Sequence, residues 1–224
     1  MNWNGIISLL VACIEIILFI NLLVFAEKNV VNKIIMILIT VLAIYQTLEF
    51  AMCNLGFKYS LLAYLAFVNI SFLPPLNLLF NFRYFKYNQK SLRLFFIPSI
   101  FFIIYYPFVI EKFAVVNCTV LYASYKYPLG TLFGFFYYLP IIISILFLYF
   151  NKSKLNDIKK IKLINILLYG ELFISIPVII AFILSAFNSF NLLNSIESVM
   201  CKFAFVFAIC LVYFALNNKK AFNE

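Results

Sequence analysis

The 224-residue sequence has no histidine, only five glycines, a single tryptophan and eight acidic residues. Without histidine, zinc hydrolysis and histidine-based acid–base chemistry lack their usual ligand and base. No glycine-rich phosphate loop, no nucleophile elbow and no carboxylate pair at helical spacing occurs. The expectation is therefore a protein that is not an enzyme, with no cofactor and no metal. Charge of either sign is also scarce: 11% of residues are charged and 66% are hydrophobic, against about 25% and about 45–50% in a soluble domain. One soluble core cannot hide such an excess.

What is present is a series of long apolar runs, rich in Phe (29) and Tyr (15). Taking about 20 apolar residues per crossing, an all-α polytopic membrane protein is predicted, one domain over 1–224 with seven transmembrane helices at 5–26, 34–55, 61–82, 94–110, 130–150, 163–187 and 196–216. The start MNWNG has no basic region, and the run after it exceeds the usual 7 to 15 residues of a secretion signal, so it reads as a retained first helix. The intervening segments, such as EKNVVNK, RYFKYNQKSLR and NKSKLNDIKKIK, are too short for a soluble domain.

The net charge of +9 does not point to nucleic acid, because the basic residues sit in short loops and form no patch with interleaved aromatics. It points to topology. Lys28, Lys33, Arg83, Lys86, Lys90, Arg93, Lys152, Lys154, Lys159, Lys160, Lys162, Lys219 and Lys220 fall on one side, and only Lys58, Lys112 and Lys126 on the other. By the positive-inside rule the N-terminus is expected outside and the C-terminus in the cytoplasm. The partner this implies is the lipid bilayer, and the location a cell membrane, a bacterial inner membrane by preference.

Lys202 interrupts the last run, IESVMCKFAFVFAICLVYFAL, where a lone cation costs about 2.5–3.5 kcal/mol at a helix centre. The other ionisable groups within the spans are Glu15, Glu49 and Glu171, with Glu197 at the outer mouth. At about 1.5 Å per residue, Glu49 in the second helix lies at the depth of Lys202, so Glu49, or failing that Glu15, is the expected partner. Gln46 and Asn69 are expected in the same cluster. It reads either as a structural pair or as an outward-facing pocket for a small ligand. Of five cysteines (Cys13, Cys53, Cys118, Cys201, Cys210), Cys118 lies in an outer loop, so a disulfide with Cys53 or Cys201 is open. Pro74, Pro75, Pro98, Pro107, Pro140 and Pro177 are expected to bend the helices that contain them.

The stretch YLAFVNISFLPPLNLLFNFRYFKYNQKSLR, with Leu73, Pro74 and Pro75 ahead of a basic loop, resembles the third helix of the seven-transmembrane sensor module at the N-terminus of bacterial histidine kinases. VLAIYQTLEF, with Glu49, is similar to the second helix of that module, and FFYYLPIIISILFLYFNKS followed by KKIKLINILLYGELFISIPVII to its fifth and sixth. The resemblance implies a sensing or receptor-like protein that passes its output to a cytoplasmic signalling partner through the basic inner loops. Those modules lead into a kinase region, whereas here NNKKAFNE follows the last helix, so a stand-alone module is expected. The alternatives are a small-solute or proton transporter and a structural or assembly protein of the membrane. Lys202 in a seventh helix is also where microbial rhodopsins attach retinal, but the third helix offers no carboxylate counterion and the only tryptophan is Trp3.

Overall fold

The computed structural model describes residues 3–87, 91–186 and 196–218. Its elements are α1 (Ile6–Phe25), α2 (Val30–Cys53), α3 (Ser60–Ser71), α4 (Leu73–Tyr84), α5 (Ile97–Tyr105), β1 (Ala114–Cys118), β2 (Ala123–Lys126), α6 (Gly130–Lys152), α7 (Ile158–Ala186) and α8 (Ile196–Asn217). Among the described residues seven helical stretches are long and apolar enough to cross a membrane. The stretch Ser60–Tyr84 comprises α3 and α4, and the stretch Leu92–Lys112 comprises α5 with its flanking 3-10 turns.

The distribution of side chains is that of an integral membrane protein. On α1 the buried face is Ser8, Val11, Ala12, Glu15 and Leu22, while Leu10, Ile17 and Val24 on the opposite face are at least half exposed. On α6 the exposed positions are again large and apolar, among them Phe135, Ile142 and Phe150. Polar groups inside and an apolar belt outside suit hydrocarbon as solvent, not water.

Local chemistry sets where the helices begin. The second starts at Val30, not at 34, because Asn29 caps it: its side chain accepts the Asn32 backbone N–H. The sixth span starts at Ile158, not at 163, with the Asp157 carboxylate accepting from the Lys159 N–H. Prolines act mostly at helix starts. Pro74 and Pro75 fall in the first turn of α4, Pro98 in that of α5 and Pro107 in that of the 3-10 turn Tyr106–Lys112, where the missing N–H costs little. Only Pro140 and Pro177 sit inside helices. The third span is thus broken at Phe72, and the single helix expected over 94–110 is a chain of short pieces.

A further correction concerns the segment before α6. It holds an antiparallel hairpin of β1 and β2, with a bulge between Val115 and Asn117, so the chain is not wholly α-helical. The aromatic ring of Phe67 on α3 packs under it against Tyr106, Phe113, Tyr125, Tyr127 and Phe133, with ring centres 4.2–6.4 Å away.

The helices form a ring. α1 packs on α2 and α8, α2 on α3 and α4, α4 on α6, α6 on α7, and α7 on α8, while α2 and α8 also meet directly. α5 lies outside, against α3 and α6. Gly170 permits the close approach of α7 and α8, since a Cβ there would stand 2.8 Å from the Phe207 ring.

Candidate functional site in two buried polar clusters

At the hairpin end of the bundle, Lys202 Nζ lies 2.8 Å from Glu49 Oε1. The ammonium also donates to Ser8 Oγ at 2.9 Å and to Gln46 Oε1. Ser8 donates in turn to Glu49 Oε1, and Ser198 donates to Glu49 Oε2, each at 2.8 Å. Gln46 completes the set by donating to the Cys201 carbonyl at 3.0 Å. Both carboxylate oxygens are therefore engaged, and the charge pair is satisfied by hydrogen bonds as a buried pair requires.

The hairpin closes this cluster. The Ala123 N–H donates to Ser198 Oγ at 3.0 Å, the Gly5 N–H donates to the Thr119 carbonyl at 2.9 Å, and Tyr45 donates to the Tyr125 hydroxyl. A disulfide joins Cys118 to Cys53 on α2; Cys201, the other partner open from sequence, lies in α8. Gly5 must be glycine here, with φ of 72° and a Cβ position only 3.0 Å from Cys53 Cβ. Ser8, Gln46, Glu49 and Ser198 are each 0% exposed, and the Lys202 side chain 8%. The sequence left a structural pair and an outward-facing pocket both open; in the structure these side chains are closed off from the surface.

Two of the expected members, Asn69 and Glu15, stand apart. Asn69 donates instead to the Val41 carbonyl on α2, bracing α3 against it. Glu15 is buried on the same face of α1 as Ser8, within the field of Lys202, yet neither of its oxygens is hydrogen-bonded. The Glu197 side chain lies outside the described residues.

A second cluster lies towards the other end of the bundle. Glu171 Oε1 on α7 accepts from Asn77 Nδ2 at 2.7 Å, Asn81 Nδ2 at 2.8 Å and Ser144 Oγ at 2.8 Å. Both amides also donate to Ser144 Oγ. Asn77 and Asn81 are one turn apart on α4 and Ser144 is on α6, so one carboxylate oxygen ties three spans together. The rest of the set is unsatisfied: Glu171 Oε2, Asn77 Oδ1 and Asn81 Oδ1 are buried without a hydrogen-bond partner. Among the described residues the sole salt bridge is that of Lys202, so Glu171 has no cation beside it.

Asn77 and Glu171 face a cavity of about 50 Å³, room for several waters where about 10–15 Å³ holds one. Its walls are otherwise mostly apolar and come from α2, α4, α6, α7 and α8, with Leu42, Pro74 and Ala204 among them. Cys201, whose carbonyl accepts from Gln46, is also in its wall, so the cavity lies between the two clusters. Sequence reasoning noted Glu171 but missed Asn77, Asn81 and Ser144. Their signal was two amides at i, i+4 in an apolar run, a spacing that puts both on one helix face.

No family model, curated protein or solved structure matches the chain. The class of protein rests on the architecture itself: a multi-pass integral membrane protein with, among the described residues, seven helices able to span a bilayer.

Proposed function

We propose that this is a non-enzymatic, receptor-like membrane protein whose hairpin end is a fixed frame and whose site is the cavity beside Glu171. The observation that carries this reading is the contrast between the clusters. Around Glu49 every carboxylate oxygen is paired and sealed. Around Glu171 three buried oxygens lack partners next to an apolar cavity, the combination that marks a small-molecule site. The ligand class is a small, largely apolar molecule with one polar end. Occupancy among five spans would then alter the basic loops at the far end, where a signalling partner docks. The N-terminus faces outward in this reading, supported by the loop charges and by the Cys53–Cys118 disulfide, a bond that persists in oxidising surroundings.

The test is unfolding of the purified protein in lipid nanodiscs with short n-alcohols as probes. The expected result is a saturable shift of the unfolding midpoint that disappears in Ala204→Phe, which fills the cavity. An identical response in wild type and variant would refute the site.

A second reading, a transporter, draws on the break at Phe72: interrupted helices border the substrate sites of many transporters, and Leu73 and Pro74 beyond the break line this cavity. Solute or proton flux into proteoliposomes, lost when Glu171 is replaced, would favour it over the receptor.

A further inference from the structure

The unsatisfied oxygens around Glu171 define more than a polar wall. A buried carboxylate without a counter-charge is costly, and it is stabilised only by a proton, a paired cation or a full set of donors. Here Oε1 has three neutral donors while Oε2 has none. Two amide oxygens of the same cluster, Asn77 Oδ1 and Asn81 Oδ1, are equally without donors, while Ser144 Oγ accepts from the Nδ2 of both amides and donates to the carboxylate. All four residues are at least nine-tenths buried.

We infer that this cluster is a binding site for a dehydrated alkali-metal cation. The donor set is all oxygen, which suits a hard cation and offers nothing soft for a transition metal. One carboxylate with neutral amide and hydroxyl oxygens balances a single positive charge. A divalent ion would leave an uncompensated charge in the low-dielectric interior. Rotation of either amide by half a turn exchanges its Nδ2 for its Oδ1, so the cluster can donate to the carboxylate when empty and turn oxygens towards a bound ion. The cavity beside Asn77 and Glu171 gives room for the ion to shed or keep a water. The inference rests on the cavity being the site, and it names sodium-sized cations as a ligand there, coupled to any apolar ligand through their shared wall.

The experiment uses the full-length protein in nanodiscs and sodium chloride as probe, with choline chloride keeping the ionic strength constant. A ligand that binds only the folded state raises the unfolding midpoint saturably. The expected result is such a rise with sodium in the wild type, its loss in Glu171→Gln, and a half-saturating concentration raised about tenfold or more in Ser144→Ala, which removes one oxygen and keeps the carboxylate. The Glu15→Gln variant is expected to keep the sodium response. A wild type indifferent to sodium overturns the inference, including the outcome in which the midpoint follows pH alone and Glu171 holds only a proton. So does a sodium response that survives in Glu171→Gln or vanishes in Glu15→Gln. A wild type that lacks the sodium effect but keeps the alcohol response overturns the cation site and leaves the cavity reading standing.

Discussion

Ser8 Oγ stands between Lys202 and Glu49, accepting from the ammonium at 2.9 Å and donating to carboxylate Oε1 at 2.8 Å, while the two charged groups themselves meet at 2.8 Å. One hydroxyl on α1 thereby joins α2 and α8. The pair acts as a clamp on three helices, and its contribution is read best by breaking it from one side.

Lys202→Met removes the cation and leaves Glu49 buried with only Ser8 and Ser198 as donors. The expected cost is about 3–5 kcal/mol, measured by reversible unfolding in mixed micelles. Adding Glu49→Leu to that variant is expected to restore most of the stability, because no buried charge is then left alone.

Separating the hairpin from α2 is expected to loosen the lid without unravelling the bundle. In Cys118→Ser the bond to Cys53 is lost, with a stability decrease of about 2–4 kcal/mol. Hydrogen–deuterium exchange should rise over residues 114–126, and most clearly at the Ala123 amide that bonds to Ser198. Unchanged protection there would mean that the other hairpin contacts suffice.

Two glycines provide a matched comparison. At Gly170 an added Cβ would meet the Phe207 ring at 2.8 Å and Cys210 Sγ at 3.2 Å, so Gly170→Ala is expected to cost about 1–3 kcal/mol through strain between α7 and α8. At Gly134 the nearest atom is a Tyr138 ring carbon at 3.6 Å, an ordinary contact. Gly134→Ala is expected to be neutral or stabilising by about 0.5–1 kcal/mol, the helix preference for alanine. Thermal unfolding of both variants checks the pair.

These comparisons also show which features can be read from residues alone. The spans are legible because hydrocarbon demands long apolar helices, and the partner of Lys202 follows from depth, since few groups can satisfy a charge at that level. Ser8 and Ser198 are not legible, because serine is common in apolar helices and only the three-dimensional ring brings two of them to Glu49. Asn69 shows the converse error: it has the right depth but the wrong face, and its amide reaches Val41 on α2. The hairpin was hidden because FAVVNC and YASYK are short runs, too brief for periodicity to decide. The cavity is legible only in the assembled bundle, from walls supplied by five spans.

The claim that joins these findings is that Glu49 holds the protein together and Glu171 does its work. Unfolding midpoints of Glu49→Gln and Glu171→Gln, measured in the same lipid nanodiscs without added sodium, test it most directly. Glu49→Gln leaves the buried Lys202 ammonium without its ion-pair partner. Glu171→Gln keeps an acceptor for Asn77, Asn81 and Ser144 and removes a buried carboxylate that has no cation beside it. The expected result is a large fall for Glu49→Gln and a midpoint at or above wild type for Glu171→Gln. The reverse order would contradict the account.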